Sequence, residues 1–173
     1  MALAGTAYLF GMREITVKAA AGTPVKLPAA QSLSFKEVLI TGELRGNDVA
    51  VAQVSYTDKV EWSLENGGIS LEALAVMTGR AVTLSGTAAA EVNTMTARAG
   101  ASYPWFEIQG RALGDNGDDV HIVLPKCKLS DGFEGEFRDG EFYIQSCSGI
   151  AVDNGTKLYD IVQHETAAAL PTT

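Results

Sequence analysis

Between residues 37 and 65 the chain changes polarity at almost every step. The even positions of its second half are Val54, Tyr56, Asp58, Val60, Trp62 and Leu64, whereas Ser55, Thr57, Lys59, Glu61, Ser63 and Glu65 are all polar. A period of two suits only a strand, whose successive side chains point to opposite faces. One face is therefore apolar, with Asp58 as its exception, and the other is wet. Upstream, Val38, Ile40, Gly42 and Leu44 fall on one side and Glu37, Thr41, Glu43 and Arg45 on the other, with Leu39 breaking the order. Gly46-Asn47-Asp48 between the two runs has turn chemistry, so the segment predicts one long antiparallel hairpin. A hairpin of this length outgrows a small domain and projects from its body.

The rest of the chain extends that reading. Asn66-Gly67-Gly68 ends the second strand, Ser70 suits a helix N-cap, Glu72 its first turn and Gly79 its left-handed end. Leu71, Leu74, Ala75 and Met77 give the intervening helix, Ser70 to Thr78, an apolar face. Strands are expected over 81–85, 105–113, 119–128, 150–152 and 158–164, with 86–102 a loop or irregular edge strand. Asp139-Gly140 predicts a type I′ turn in a second hairpin, Phe133 to Gln145, setting Arg138 opposite Glu141 and Phe137 opposite Phe142. The fold class that follows is mainly β: a sandwich or barrel of antiparallel strands with one short flanking α-helix and a long projecting hairpin. Residues 1–173 read as a single domain, with an N-terminal arm over 1–12 and a mobile C-terminal tail over 165–173.

Composition narrows the function classes. A chain of 173 residues buries roughly 70% of its unfolded surface, enough for a core without disulfides or metals. The balance of 13 Lys+Arg against 21 Asp+Glu, a net charge of −8, argues against a surface for nucleic acid or anionic membrane. Cys127 and Cys147 make neither a disulfide framework nor a four-ligand zinc site and read as free thiols. No apolar run is long enough for a membrane-spanning helix. Arg13 and Lys18 follow the apolar N-terminus rather than precede it, the wrong order for a secretory signal, and Asn154-Gly155-Thr156 reads as a turn.

No phosphate loop, nucleophile elbow or paired-histidine metal motif is present. His121 or His164 with Cys147 would supply a base and a nucleophile, but no third group is placed to orient them. Glu134 and Glu136 share a face of one strand, whereas glycosidase carboxylates come from separate elements. Asp115, Asp118 and Asp119 lack the spacing of an EF-hand loop. No catalytic residue, metal ligand or cofactor is expected. Acids concentrate between Asp115 and Glu141, where eight stand against Lys126, Lys128 and Arg138.

Several stretches, in order, resemble the major tail tube proteins of long-tailed (siphovirus-type) bacteriophages. Leu27-Pro28-Ala29-Ala30-Gln31-Ser32-Leu33-Ser34-Phe35 is similar to that family's entry into its first long hairpin, and Glu43-Leu44-Arg45-Gly46-Asn47-Asp48 to its tip. The most specific block runs from Glu61-Trp62-Ser63-Leu64-Glu65 through Asn66-Gly67-Gly68-Ile69-Ser70 to Leu71-Glu72-Ala73-Leu74, strand into capped helix. Tyr103-Pro104-Trp105-Phe106, Lys126-Cys127-Lys128 and Leu158-Tyr159-Asp160-Ile161 continue the resemblance towards the C-terminus.

The resemblance implies a structural virion protein without catalytic residues or cofactor, assembled as hexameric rings stacked into a hollow tube. Its partners would be further copies of itself and the tail tip, tape-measure and tail-terminator proteins, with no membrane. It would assemble in the host cytoplasm and reside in the virion tail, where double-stranded DNA passes through without specific binding. An acidic lumen would repel the phosphates and let DNA slide, whereas Lys and Arg would hold it. On this reading Glu37, Thr41, Glu43, Ser55, Thr57, Glu61, Ser63 and Glu65 form one lumen face. Arg45, Gly46, Asn47 and Asp48 form a ring-stacking tip, and Ser70, Leu71, Glu72, Leu74 and Ala75 an intersubunit helix. The competing expectations are a type VI secretion-like tube protein and a monomeric carbohydrate-binding β-sandwich module. The module would need exposed aromatics, and Trp105 and Tyr143 are the two out of step with the apolar alternation.

Overall fold

The long hairpin dominates the computed structural model, which describes residues 6–115 and 117–171. Its strands are β3 (Ala30–Gly46) and β4 (Val49–Gly67), preceded by β1 (Leu9–Ala19) and β2 (Val25–Lys26). After it come α1 (Leu71–Thr78), a two-stranded sheet of β5 (Val82–Ser85) and β6 (Val92–Met95), and then β7 (Phe106–Gly114) and β8 (Asp119–Gly135). The last strands are β9 (Ile144–Ala151) and β10 (Asp160–His164). The fold is mainly β and antiparallel, as the alternation predicts, and β6 falls within the stretch read as a loop or irregular edge.

The main sheet has eight strands in the order β2-β1-β7-β8-β9-β4-β3, with β10 beside β8. Strand β8 carries the chain from one layer to the other. Its first half pairs with β7 and β10, its second half with β9, and Cys127 at the crossover pairs with Phe106 on one side and Ala151 on the other. The layers meet face to face: Trp62 of β4 packs edge-on against Phe106 of β7, centroids 5.8 Å apart. The result is a β-sandwich-like fold. Ile15, Val17, Val60, Leu64, Ile108 and Leu124 complete a core from which water is excluded.

Gly149 shows why one core position takes glycine. Trp62 stands directly opposite it in the β4–β9 ladder and lies across it. A Cβ there would sit 2.1 Å from the Lys128 carbonyl oxygen and 2.6 Å from Trp62 Cζ2.

The helix follows its caps. Ser70 Oγ accepts from the Ala73 N–H, and Gly79, at φ 70°, donates its N–H to Ala75. Ala73, Leu74, Met77 and Thr78 are buried against the chain's own strands, while Leu71 and Ala75 are half-buried and Glu72 is exposed. The short helix is held by its own core, so a neighbouring subunit is not needed to explain it.

Three local expectations change. In the second hairpin the ladder ends at Gly135 opposite Gln145, and only Gly140 of the turn pair has positive φ, so the turn is not type I′. Arg138 does reach Glu141 (3.7 Å) and also Glu136 (2.8 Å), but Phe137 stacks on Tyr143 and leaves Phe142 97% exposed. Within the expected N-terminal arm, Leu9 and Met12 already pair with β7. Within the tail over 165–173, Ala168 is bonded to side chains of β8 and Leu170 is buried.

Candidate functional site

Two features of the hairpin carry the candidate residues. The first is its outer part, residues 39–58, where every side chain of both strands is exposed. The tip is tight: Asn47 (φ 52°) and Asp48 (φ 62°) turn the chain between the paired Gly46 and Val49, which fits a type I′ turn. Among the described residues neither strand has another partner over this length, so the hairpin arm is a free two-stranded ribbon.

The register of this ribbon corrects the face assignment. Val38 pairs with Lys59 but Leu39 pairs with Thr57, leaving Asp58 as an unpaired β-bulge residue. A bulge shifts the alternation by one, so the side chains of β4 exchange faces there. Directly opposed residues share a face. Glu37, Thr41, Glu43, Ser55 and Thr57 therefore lie on the side that holds Trp62 and Leu64 at the base. Glu61, Ser63 and Glu65 lie on the opposite side, so the eight residues read as one lumen face do not form one.

Beyond the bulge the second side turns apolar. Ile40 stands opposite Tyr56, Gly42 opposite Val54 and Leu44 opposite Ala52. Ile40 is 42% exposed, Tyr56 57%, Val54 62% and Leu44 63%. At the hairpin base, by contrast, Glu37 is already engaged, accepting a hydrogen bond from the Tyr159 hydroxyl. That bond raises the Tyr159 pKa above its ordinary value, with burial adding to it.

The second feature is the polar outer face of β3, β4, β9 and the end of β8. Glu65 is opposite Ser146 and Ser63 opposite Ser148, while Ser146 is also opposite Glu134. Ser32 donates to Glu65 (2.9 Å), Ser34 and Ser63 share a hydrogen bond (2.7 Å), and Ser148 donates to Asp131 (2.9 Å). The alternation reading found Glu61, Ser63 and Glu65 but missed Ser146, Ser148, Asp131 and Glu134, because sheet neighbours are not sequence neighbours. Glu61, Glu65, Asp131 and Glu134 are nearly matched by Lys36, Lys59 and Lys128, and Lys59 lies 3.7 Å from Glu61. The face is dominated by short hydroxyls rather than by acid.

The acids between Asp115 and Glu141 are likewise dispersed. Asp119 is fully buried, and its Oδ2 accepts from Arg111 Nε (2.8 Å), Arg111 Nη2 (2.7 Å) and the Ala168 N–H (2.7 Å). Burial alone would raise this carboxyl, but Ala168 and Arg111 outweigh it and hold the pKa below the ordinary value. His121, also buried, meets the Ala168 carbonyl at 3.2 Å and packs its ring on His164 with centroids 4.5 Å apart. Burial and then His164 push the His121 pKa down.

The two cysteines are free and buried. Burial raises the Cys147 thiol to about 11 and the Cys127 thiol further, and only the thiolate is a nucleophile. Among the described residues no group of three or more His, Cys, Asp or Glu could hold a metal, and no helix is long and apolar enough to cross a membrane. Asn154 Oδ1 accepts from the Thr156 and Lys157 amides, both at 3.0 Å, so the Asn154-Gly155-Thr156 stretch is a turn. Trp105 has the Lys126 and Lys128 ammonium groups 5.2 and 5.3 Å from its ring centre, and Tyr143 is stacked on Phe137. Neither makes an open aromatic platform. No protein-family model and no curated protein matches this chain.

Proposed function

We propose that this protein is a structural subunit that polymerises through its hairpin arm, as the resemblance to the major tail tube proteins of long-tailed phages implies. Hexameric rings would stack into the tube of a virion tail, assembled in the host cytoplasm. The observation that carries the reading is the arm itself, a free two-stranded ribbon with an exposed apolar side. Such a ribbon is marginal alone in water and gains stability only when another surface covers it. A type VI secretion-like tube protein would share this requirement.

In the assembled tube the hydroxyl-rich face of β3, β4, β9 and β8 is the better lumen wall. Its serines bond among themselves and to neighbouring carboxylates, Lys59 stands beside Glu61, and Lys128 lies over the Trp105 ring. Passing DNA would therefore meet no concentrated run of cations to hold its phosphates. Negative-stain electron microscopy across a concentration series, with light scattering on the same samples, tests the reading. Hollow rings or tubes are expected. A chain that stays monomeric at high concentration, even when seeded by tail tips, would overturn it in favour of a monomeric binding module.

A further inference from the structure

The sandwich is open at one side, beside the hairpin base. An apolar groove of about 460 Å³ lies there between Leu33 and Phe35 of β3, Leu9 and Met12 of β1, Ile122 of β8 and Ile161 of β10. Its floor is kept open by Gly110, where a Cβ would come within 2.8 Å of Leu33 and 3.1 Å of Ile122. The one charged residue lining it, Arg111, is committed to Asp119. Leu9 (49%), Phe35 (41%) and Ile161 (57%) are left open to water.

We infer that this groove seats the apolar side of the hairpin arm of a second copy of the chain, an inference that rests on the polymerising reading and names its contact. The groove and the apolar side of the arm are both uncovered among the described residues, and one contact between copies covers both. Leu33 and Phe35 stand opposite Leu64 and Trp62, on one side of the hairpin, whereas Ile40, Leu44, Val54 and Tyr56 lie on the other. Since β3 runs unbroken from groove to arm, a chain cannot place that side of its arm in its own groove. Donor and acceptor are different patches, so the contact is heterologous and generates a ring or a filament rather than a two-fold dimer.

Area favours the same outcome. The eight residue pairs from Leu39–Thr57 to Gly46–Val49, at about 3.3 Å per residue, make a ribbon roughly 26 Å long, and two strands give it a width of about 10 Å. One side then offers about 260 Å² in projection, about a third of the roughly 800 Å² per partner of a stable interface. A single seat is weak. A copy inside a ring or filament makes it twice, once as donor and once as acceptor, which doubles the buried area.

The test is cross-linking in the full chain carrying Val54→Cys and Ile161→Cys, both at exposed positions, with a short bis-maleimide at assembling concentrations. The native thiols are buried and raised in pKa, so the engineered pair dominates the reaction. A ladder of multimers is expected, whereas mixing the two single variants should give only dimers. Adding Tyr56→Asp should cut cross-linking by roughly tenfold or more, the scale of losing an interface aromatic anchor. Rings or tubes without a ladder would overturn the seat and leave the polymerising reading standing. Neither assemblies nor ladder would overturn both. An intramolecular link, or an Ile161→Cys thiol shielded from a mono-maleimide in dilute protein, would overturn the seat by showing that the chain's own residues fill the groove.

Discussion

Between Val60 and Leu64 strand β4 hides every second side chain, whereas between Val49 and Asp58 it hides none. The same strand, the same partner β3 and the same alternating composition give a core in one half and an exposed ribbon in the other. The difference is what lies beyond the pair. From Val60 to Gly67, β4 also pairs with β9 and packs on β7, while the arm has only β3. Alternation therefore marks a pleat that wants a cover; it does not say whether the cover is intramolecular. In the arm no strand of the chain supplies the cover among the described residues, and the proposed second copy would.

Substitutions that sort by half sharpen this contrast. The largest expected loss is Trp62→Ala, about 3–5 kcal/mol by urea unfolding, because a fully packed indole leaves a cavity. Tyr56→Ala should change the unfolding of the dilute chain by no more than about 0.5 kcal/mol while weakening assembly. Equal losses at the two sites would break the comparison. Next come two glycines. Gly149→Ala drives a methyl against the Lys128 carbonyl and Trp62 and should cost about 1–3 kcal/mol. Gly42→Ala in the arm meets no atom within 4 Å and should be near neutral.

Inserting one residue between Val38 and Leu39, opposite Asp58, probes the boundary itself. With the bulge paired, Ile40, Val54 and Tyr56 turn to the side of Trp62, so the dilute chain should stay folded while multimers disappear in sedimentation velocity. Retained assembly would show that the inversion of faces is irrelevant. A smaller, graded effect concerns the body alone. The lowered His121 pKa means its contribution to stability is complete above about 6.5 and fades as pH falls through the lowered folded value. Asp119, also lowered, contributes above about 3.9 and loses that contribution only in stronger acid. The thermal midpoint should therefore begin to drop as the pH falls below about 6.5. His121→Gln should flatten that first drop.

Much of this was legible in the sequence where the cause is local. The hairpin, its Asn47-Asp48 tip and the helix between Ser70 and Gly79 follow from alternation, turn chemistry and caps. Even the bulge left a trace. Asp58 is the one polar residue in its apolar row and Leu39 the one apolar residue in its polar row, and the two fall at the same point of the ladder. Read together, the two exceptions describe a shift of register; read separately, they look like noise. The hydroxyl-rich face was only half visible, since Ser146 and Ser148 join it through β9. The Asp119 cluster was invisible, because its third partner, Ala168, returns from 49 residues further along the chain. Nothing near Asp119 in sequence signals that contact.

Amide hydrogen exchange, followed on dilute protein and on assembled material, bears most directly on the claim that the arm is completed by another copy. Slow exchange is expected over Val60–Leu64 in both samples, and rapid exchange over 39–58 that becomes slow on assembly. An arm already protected in the dilute chain, or still unprotected in rings or tubes, would contradict it.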